Sequence, residues 1–402
     1  MAEQPRRRPD SAVPDIGDGL WERIQAAVLA ESGADKSLWN GELGYTDPAE
    51  SVRGEAYGYG KLNLSEESVV RPLREMYEQR GQRVTEEQLI ARRSAFQVVA
   101  HEFGHLAVPE EYQLADRAAD IKRGDLTPIE EGTNEAWSQA KTDALIDRAL
   151  PRDLALQLRS VDSLRTYPGW DSAARAFADD VGAEIGVEGD EVLSVMNREA
   201  RSGKGRAAAD LLYEHSELPR LVPADQQTAV RAELQSKIDE GFAALKPLND
   251  DKTVNRRAYG RQRGQELAES LVGTVQAAEK HYLSLESGRQ AQAAQQTQDL
   301  SALPPPDPAD RRPGPGSGSY AQQAADDDAR VAAAMAKPVD PRVAFAQWMA
   351  AGQAPAADAV RQPRGDGRAE DPPLGEQAAR VEKGERPGGR AAAGRSTESP
   401  ER

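Results

Sequence analysis

Along the first part of the chain the apolar positions change their period several times, and each change marks an element. Leu20, Trp21, Ile24 and Val28 recur at helical spacing and predict a first helix from Asp18. Between about Lys36 and Ser65 that period is lost. Within this stretch Gly54–Ser65 alternates, with Tyr57, Tyr59, Lys61 and Asn63 on one side and Leu62 and Leu64 on the other, which predicts one or two short strands. Helical spacing returns from Ser68 to about Arg80. Thr85 then opens a longer helix with Gln88 at the reciprocal capping position, and this run reaches His105 or just beyond, before Pro109.

Downstream the pattern is helical almost throughout. A short helix fits Glu110 to Arg123, ended by Gly124. Another is expected after Gly132, carrying Asn134 through Ala149 and stopping at Pro151. Residues 151–288 supply helical anchors at Leu154/Leu158, Phe177/Val181, Val192/Val195/Met196 and Leu211/Leu212. Beyond Gly288 come Gln-Ala runs, three consecutive prolines at 304–306 and an Ala/Arg/Gly/Pro-rich remainder. Such a sequence buries too little apolar surface to offset chain entropy, so 289–402 is expected to be a disordered tail, as are residues 1–17 a disordered lead. One apolar island, Val343 to Met349 with Phe345 and Trp348, is a candidate partner-binding turn. The expected fold is therefore mainly helical α+β: a small core with a short sheet over 18–150, a helical region over 151–288, and the tail.

Composition narrows the function classes. Only 38% of the 402 residues are apolar and 5% aromatic, in keeping with a partly unfolded chain. A net charge of -16 argues against nucleic-acid binding, which needs a cationic surface, and the single run Arg6-Arg7-Arg8 reads as a solvated stretch. There is no cysteine, hence no disulfide, thiolate metal site or cysteine nucleophile. No segment approaches the ~20 apolar residues of a membrane span, and no apolar stretch of signal-peptide type follows the N-terminal arginines. A cytoplasmic protein without membrane contact is the expectation; leaderless export would leave no signal of this kind. Gly186–Gly189 and Gly203–Arg206 do not follow strands, which removes the phosphate-loop reading.

The chemistry lies in His101-Glu102-Phe103-Gly104-His105, an HExxH pattern on the predicted helix. Residues four apart share a helix face, so both imidazoles can reach one metal ion, and the intervening glutamate can deprotonate the water that the metal activates. At about 100° per residue, Leu89, Phe96, Val99, Phe103 and Leu106 form one stripe, with both histidines on the opposite side. This predicts a helix with its core on one face and a cleft on the other. A third protein ligand is needed, and His215 and His281 are the only other histidines. The segment Glu130-Glu131-Gly132-Thr133-Asn134-Glu135 offers better candidates. On a helix starting near Thr133, Glu135 projects away from Trp137, Ala140 and Ala144; Glu131 is the alternative.

HEFGH followed by Gly-x-Asn-Glu-Ala-x-Ser resembles the gluzincins, the thermolysin-like zinc metallopeptidases whose third ligand is a glutamate on a second helix. It is also similar to the catalytic domain of anthrax lethal factor and its small relatives. The resemblance spans about Thr85 to Leu145. It implies a zincin-like core, Zn2+ held by His101, His105 and Glu135, Glu102 as general base, and Asn134 and Asp143 orienting the ligands. It also implies a protein or peptide substrate, paired with the strand region 54–65. In one place the chain departs from the thermolysin-like pattern: Gln139 stands where an aspartate is expected four residues after the ligand. A donor to the developing oxyanion is also implied, with Tyr112, Tyr167, Tyr213 and His215 as candidates. The rival expectation is a non-catalytic interaction or scaffold protein with a structural or vestigial metal site; a third is an effector with the same chemistry and a different delivery.

Overall fold

The computed structural model describes residues 13–301 except Pro14, Asp18 and Gly58. Of the lead expected over 1–17, residues 1–12 and Pro14 lie outside the described residues, while Val13 and Ile16 are buried. The island around Phe345 and Trp348 and the tail beyond residue 301 also lie outside the described residues.

Helix α1 (Leu20–Ser32) buries Leu20, Trp21, Ile24 and Val28, the stripe its spacing predicts. The stretch that follows holds four short strands: β1 (Lys36–Ser37), β2 (Leu43–Tyr45), β3 (Gly54–Ala56) and β4 (Leu62–Leu64). β3 and β4 pair antiparallel with Glu55 opposite Asn63, β2 joins β4 in parallel, and the order β2-β4-β3 leaves β3 at an edge. Leu62 and Leu64 are fully buried, as the alternation requires. A single π turn, Glu66–Val70, leads into α2 (Arg71–Glu78).

The long helix α3 (Glu86–Leu106) starts at the expected capping box: Gln88 N donates to Thr85 Oγ1 at 3.2 Å and Thr85 N to Gln88 Oε1 at 2.9 Å. It ends where the chain turns extended into β5 (Ala107–Val108), which pairs antiparallel with β1. After the short α4 (Leu114–Asp120) comes α5 (Thr127–Ala149). α5 starts six residues before the Thr133 that the sequence suggests, runs straight through Gly132, and so carries Glu130 and Glu131 inside the helix. The remaining helices are α6 (Arg152–Leu158), α7 (Trp170–Ile185), α8 (Gly189–Asn197), α9 (Lys204–Glu214), α10 (Leu218–Leu221), α11 (Gln227–Ala243) and α12 (Arg256–Ser301).

The architecture is mainly helical α+β, and α5 is its axis. It packs against α1 and α3 on the sheet side and against α7, α8 and α11 beyond residue 150, so the helical region builds on the same core as the sheet. Phe96, Val99, Phe103, Trp137, Phe177 and Phe242 fill this core at 2% exposure or less. α12 lies along α7 and buries Ala268, Leu271, Val275, Ala278 and Tyr282. From Leu283 to Asp299 it is exposed at every position but the half-buried Glu286. The helix thus passes 13 residues beyond Gly288, where the compositional break places the edge of the folded part. Among the described residues no helix is long and apolar enough to cross a membrane.

Candidate metal centre

The site forms where α3 crosses α5. Gly104 allows the close approach, since a Cβ there would stand 2.1 Å from Asn134 Oδ1; Gly132 does the same for α5 against α7, where a Cβ would stand 2.7 Å from the Trp170 carbonyl oxygen. Asn134 uses the room to donate from Nδ2 to the His101 carbonyl at 2.7 Å. It therefore fastens the α3 backbone rather than orienting an imidazole. One turn on, Gln97 Nε2 donates to Ser138 Oγ at 2.7 Å, and Thr142 bonds Gln97 in turn. These buried polar contacts fix the rotation of one helix against the other, since slipping by one residue leaves every partner unsatisfied.

Three donor atoms meet at this crossing. His101 Nε2 and His105 Nε2 are 3.1 Å apart, and Glu131 Oε2 lies 3.2 Å from the first and 3.4 Å from the second. Among the described residues, His101, His105 and Glu131 form a group that could hold a metal ion, with one ligand atom from each within 4.8 Å of the others. A carboxylate also stands behind each imidazole. Glu135 Oε2 is 3.1 Å from His101 Nδ1, and Glu130 Oε1 is 2.6 Å from His105 Nδ1. Glu135 is itself held by the Gln139 amide at 3.0 Å and by Thr166 N at 3.2 Å.

The chemistry of the donor set bears on what fills it. The hydrogen bond at His105 Nδ1 calls for the N–H tautomer there and leaves its Nε2 as a lone pair. Glu135 lies within ion-pair distance of His101 Nδ1, without hydrogen-bond alignment, and favours the proton on the same atom of that ring. Two lone pairs and a carboxylate oxygen then face one another in a buried space, an arrangement that repels unless a cation or protons lie between them. The proton affinities say the same. Burial works against a charged His101, yet Glu131 and Glu135 hold its pKa well above the ordinary value. Burial would raise the carboxyl of Glu131, yet His105 and His101 hold it well below the usual range. A divalent ion satisfies all three donors at once, and the residues present fit one.

Glu102, 7% exposed, lies between this group and the sheet; a Cβ on Gly54 in β3 would fall 2.7 Å from its Cγ. Burial pushes its pKa up, against the pull of the two histidines. Arg117 of α4 ties the region together by donating to the His105 carbonyl at 2.5 Å and the Ala56 carbonyl at 3.0 Å. Residues 159–169, linking α6 to α7, close the other side. Leu164 N donates to Ser94 Oγ at 2.9 Å, Ser163 Oγ to Gln139 Oε1 at 2.9 Å, and the Tyr167 ring sits 6.0 Å from that of His101 while stacking on Trp170. The negative charge of Glu131, with burial, holds the Tyr167 hydroxyl firmly protonated.

The expected residues are thus divided. His101, Glu102 and His105 come together as the motif implies. Glu135 does not stand beside both imidazoles; Glu131 does, one turn earlier, and Glu135 backs His101 instead. The cluster the structure brings together is thus His101, His105 and Glu131, whereas the expected third ligand Glu135 contacts, of the two rings, only that of His101. Asp143 is far from this role: it is about half-exposed and pairs with Arg93 at 2.7 Å. Of the donor candidates only Tyr167 borders the group. Tyr112 donates to Asp120 at 2.9 Å, Tyr213 to the Leu218 carbonyl at 3.3 Å, and His215 Nδ1 lies 2.9 Å from the Leu211 carbonyl in its own helix. The open cleft face expected for α3 is covered as well: every residue from Arg92 to Gly104 is buried. Glu130 and Lys204 carry no local motif, and only the correct phase of α5 would have singled out Glu130.

Comparison with protein-family models, with curated proteins and with solved structures returns no match to this chain.

Proposed function

We propose that the protein is a zinc-dependent peptidase of gluzincin type, with His101, His105 and Glu131 as the metal ligands and Glu102 as the general base. One observation carries this reading: the HExxH helix and a second helix bring two Nε2 atoms and one carboxylate oxygen together, with a carboxylate behind each ring and Glu102 alongside. Bound zinc would supply Lewis acidity, polarising a peptide carbonyl and lowering the pKa of water toward ~7. Glu102 takes the proton of the attacking water and returns it to the leaving amine nitrogen; its raised pKa suits a group that must both accept and release. The Tyr167 hydroxyl, firmly protonated, donates to the carbonyl oxygen as negative charge develops. β3, the outer strand beside Glu102, offers a backbone edge to an extended peptide.

The test is metal content together with cleavage of an unfolded protein substrate. The parent should hold about one zinc ion and cleave; Glu102→Gln should hold zinc and fail to cleave. The enclosure of the site, with His101 at 5% exposure, favours a second reading in which the ion is structural and the protein is an interaction scaffold. In that case zinc raises the unfolding midpoint, and parent and Glu102→Gln are equally inert toward every substrate.

A further inference from the structure

Lys204, the first residue of α9, is 2% exposed and projects into the protein toward α5. Its Nζ lies 3.7 Å from Glu130 Oε2, 3.4 Å from Asn197 Oδ1 and 3.5 Å from the Met196 carbonyl. Glu130 is buried too, and its two oxygens divide their work. Oε1 meets His105 Nδ1 at 2.6 Å, whereas Oε2 has no hydrogen-bond partner among the described residues and faces the ammonium. Withdrawing a carboxylate and an ammonium from water costs more than their attraction commonly returns, and a well-packed apolar pair is often as stable. Stability alone therefore gives weak grounds for a lysine here. Its line of contacts, from α9 through Glu130 on α5 to the His105 ring on α3, gives better ones.

We propose that Lys204 is a positioning residue for the metal centre, fixing Glu130 and, through it, the orientation of the His105 ring. This rests on the metal-site reading above. Lys204 touches no metal ligand; it acts only by holding the group that does. The helices beyond residue 150 thereby set the geometry of a motif some hundred residues earlier.

The experiment uses the full chain and its Lys204→Met, Glu130→Gln and doubly substituted forms. Zinc affinity is read by chelator competition, ligand geometry by the visible absorption of the cobalt(II)-loaded protein, and folding by the thermal midpoint of the metal-free form. Loss of a contact behind a ligand typically lowers affinity by about 10–100-fold. Lys204→Met should do so and alter the cobalt spectrum, while in the Glu130→Gln background it should add less than about twofold, since its route of action is already cut. Parent-like affinity and spectrum in Lys204→Met would overturn the proposal, as would a lowered midpoint with an unchanged spectrum, or losses that multiply in the double variant. Should Lys204→Met fail to fold, Glu130→Gln and the double variant decide: equal affinity supports the relay, and a further drop overturns it. A parent that takes up neither zinc nor cobalt overturns the metal reading itself. A parent that binds beside an unaffected Lys204→Met overturns only the relay.

Discussion

His101 has a carboxylate at each ring nitrogen, Glu131 at Nε2 and Glu135 at Nδ1, and the two should behave differently when removed. Glu131→Ala deletes a donor from the group and should abolish stoichiometric zinc in the purified protein, measured by elemental analysis. Glu135→Ala leaves the three donors in place but frees the ring, so affinity should fall about 10–100-fold with stoichiometric binding still reached at saturating zinc. The reverse order of effects would restore Glu135 as the ligand. Glu102→Gln is the complementary case. It should bind zinc as the parent does while turnover falls by roughly 10²–10⁴ or more, the range that general-base catalysis supplies; equal activity would end the proposed mechanism.

At the scale of elements, the crossing of α3 and α5 explains both what the sequence discloses and what it conceals. The capping box at Thr85 and the four-residue spacing of His101 and His105 are local properties, and both appear where the spacing puts them. The start of α5 is not local. Gly132 reads as a helix break, yet here its missing side chain lets the helix pass the Trp170 carbonyl, and the true start lies at Thr127, where Pro128 occupies the first turn. A start six residues earlier adds Glu130 and Glu131 to the helix and brings Glu131, one turn before Glu135, beside both imidazoles. The strands β1 and β2, two and three residues long, are too short for alternation to register. The crossing also predicts that Gly104→Ala, which drives a methyl into Asn134, lowers stability by about 1–3 kcal/mol and weakens metal binding; a parent-like melting curve would show that the helices can part at no cost. A second pair of elements carries a pH signature. Asp239 on α11 lies against Gly205 of α9, and burial raises its pKa from 3.8 to about 6, with Gln235 and Arg123 opposing and Asp125 and Glu240 reinforcing. The native state therefore binds this proton more tightly than the unfolded chain, and the contribution present below about pH 4 is lost as pH rises through 6. Asp239→Asn should raise the thermal midpoint at pH 7 and make little difference at pH 4; a gain of equal size at both would refute the assignment.

For the whole molecule, the motif region does not stand alone, because Tyr167 and Lys204 reach the site from beyond α5. A chain ending at Leu150 should neither melt cooperatively nor retain zinc. A chain ending at Gly288 should melt at the parent midpoint, since among the described residues of α12 the last buried one is Tyr282; ending before Leu271 should abolish the transition. Composition conceals this because the Gln-Ala run that looks unstructured continues a helix whose packed part lies earlier. The closure of the site by residues 159–169 has one more outcome, and it concerns time. A chelator can take an ion only from an exposed donor set, so release must wait for the tethers at Ser94, Gln139 and Glu135 to open. Zinc loss should therefore follow first-order kinetics whose rate climbs with chelator concentration only to a ceiling, the opening rate itself, and Gln139→Ala, which cuts a tether, should raise that ceiling.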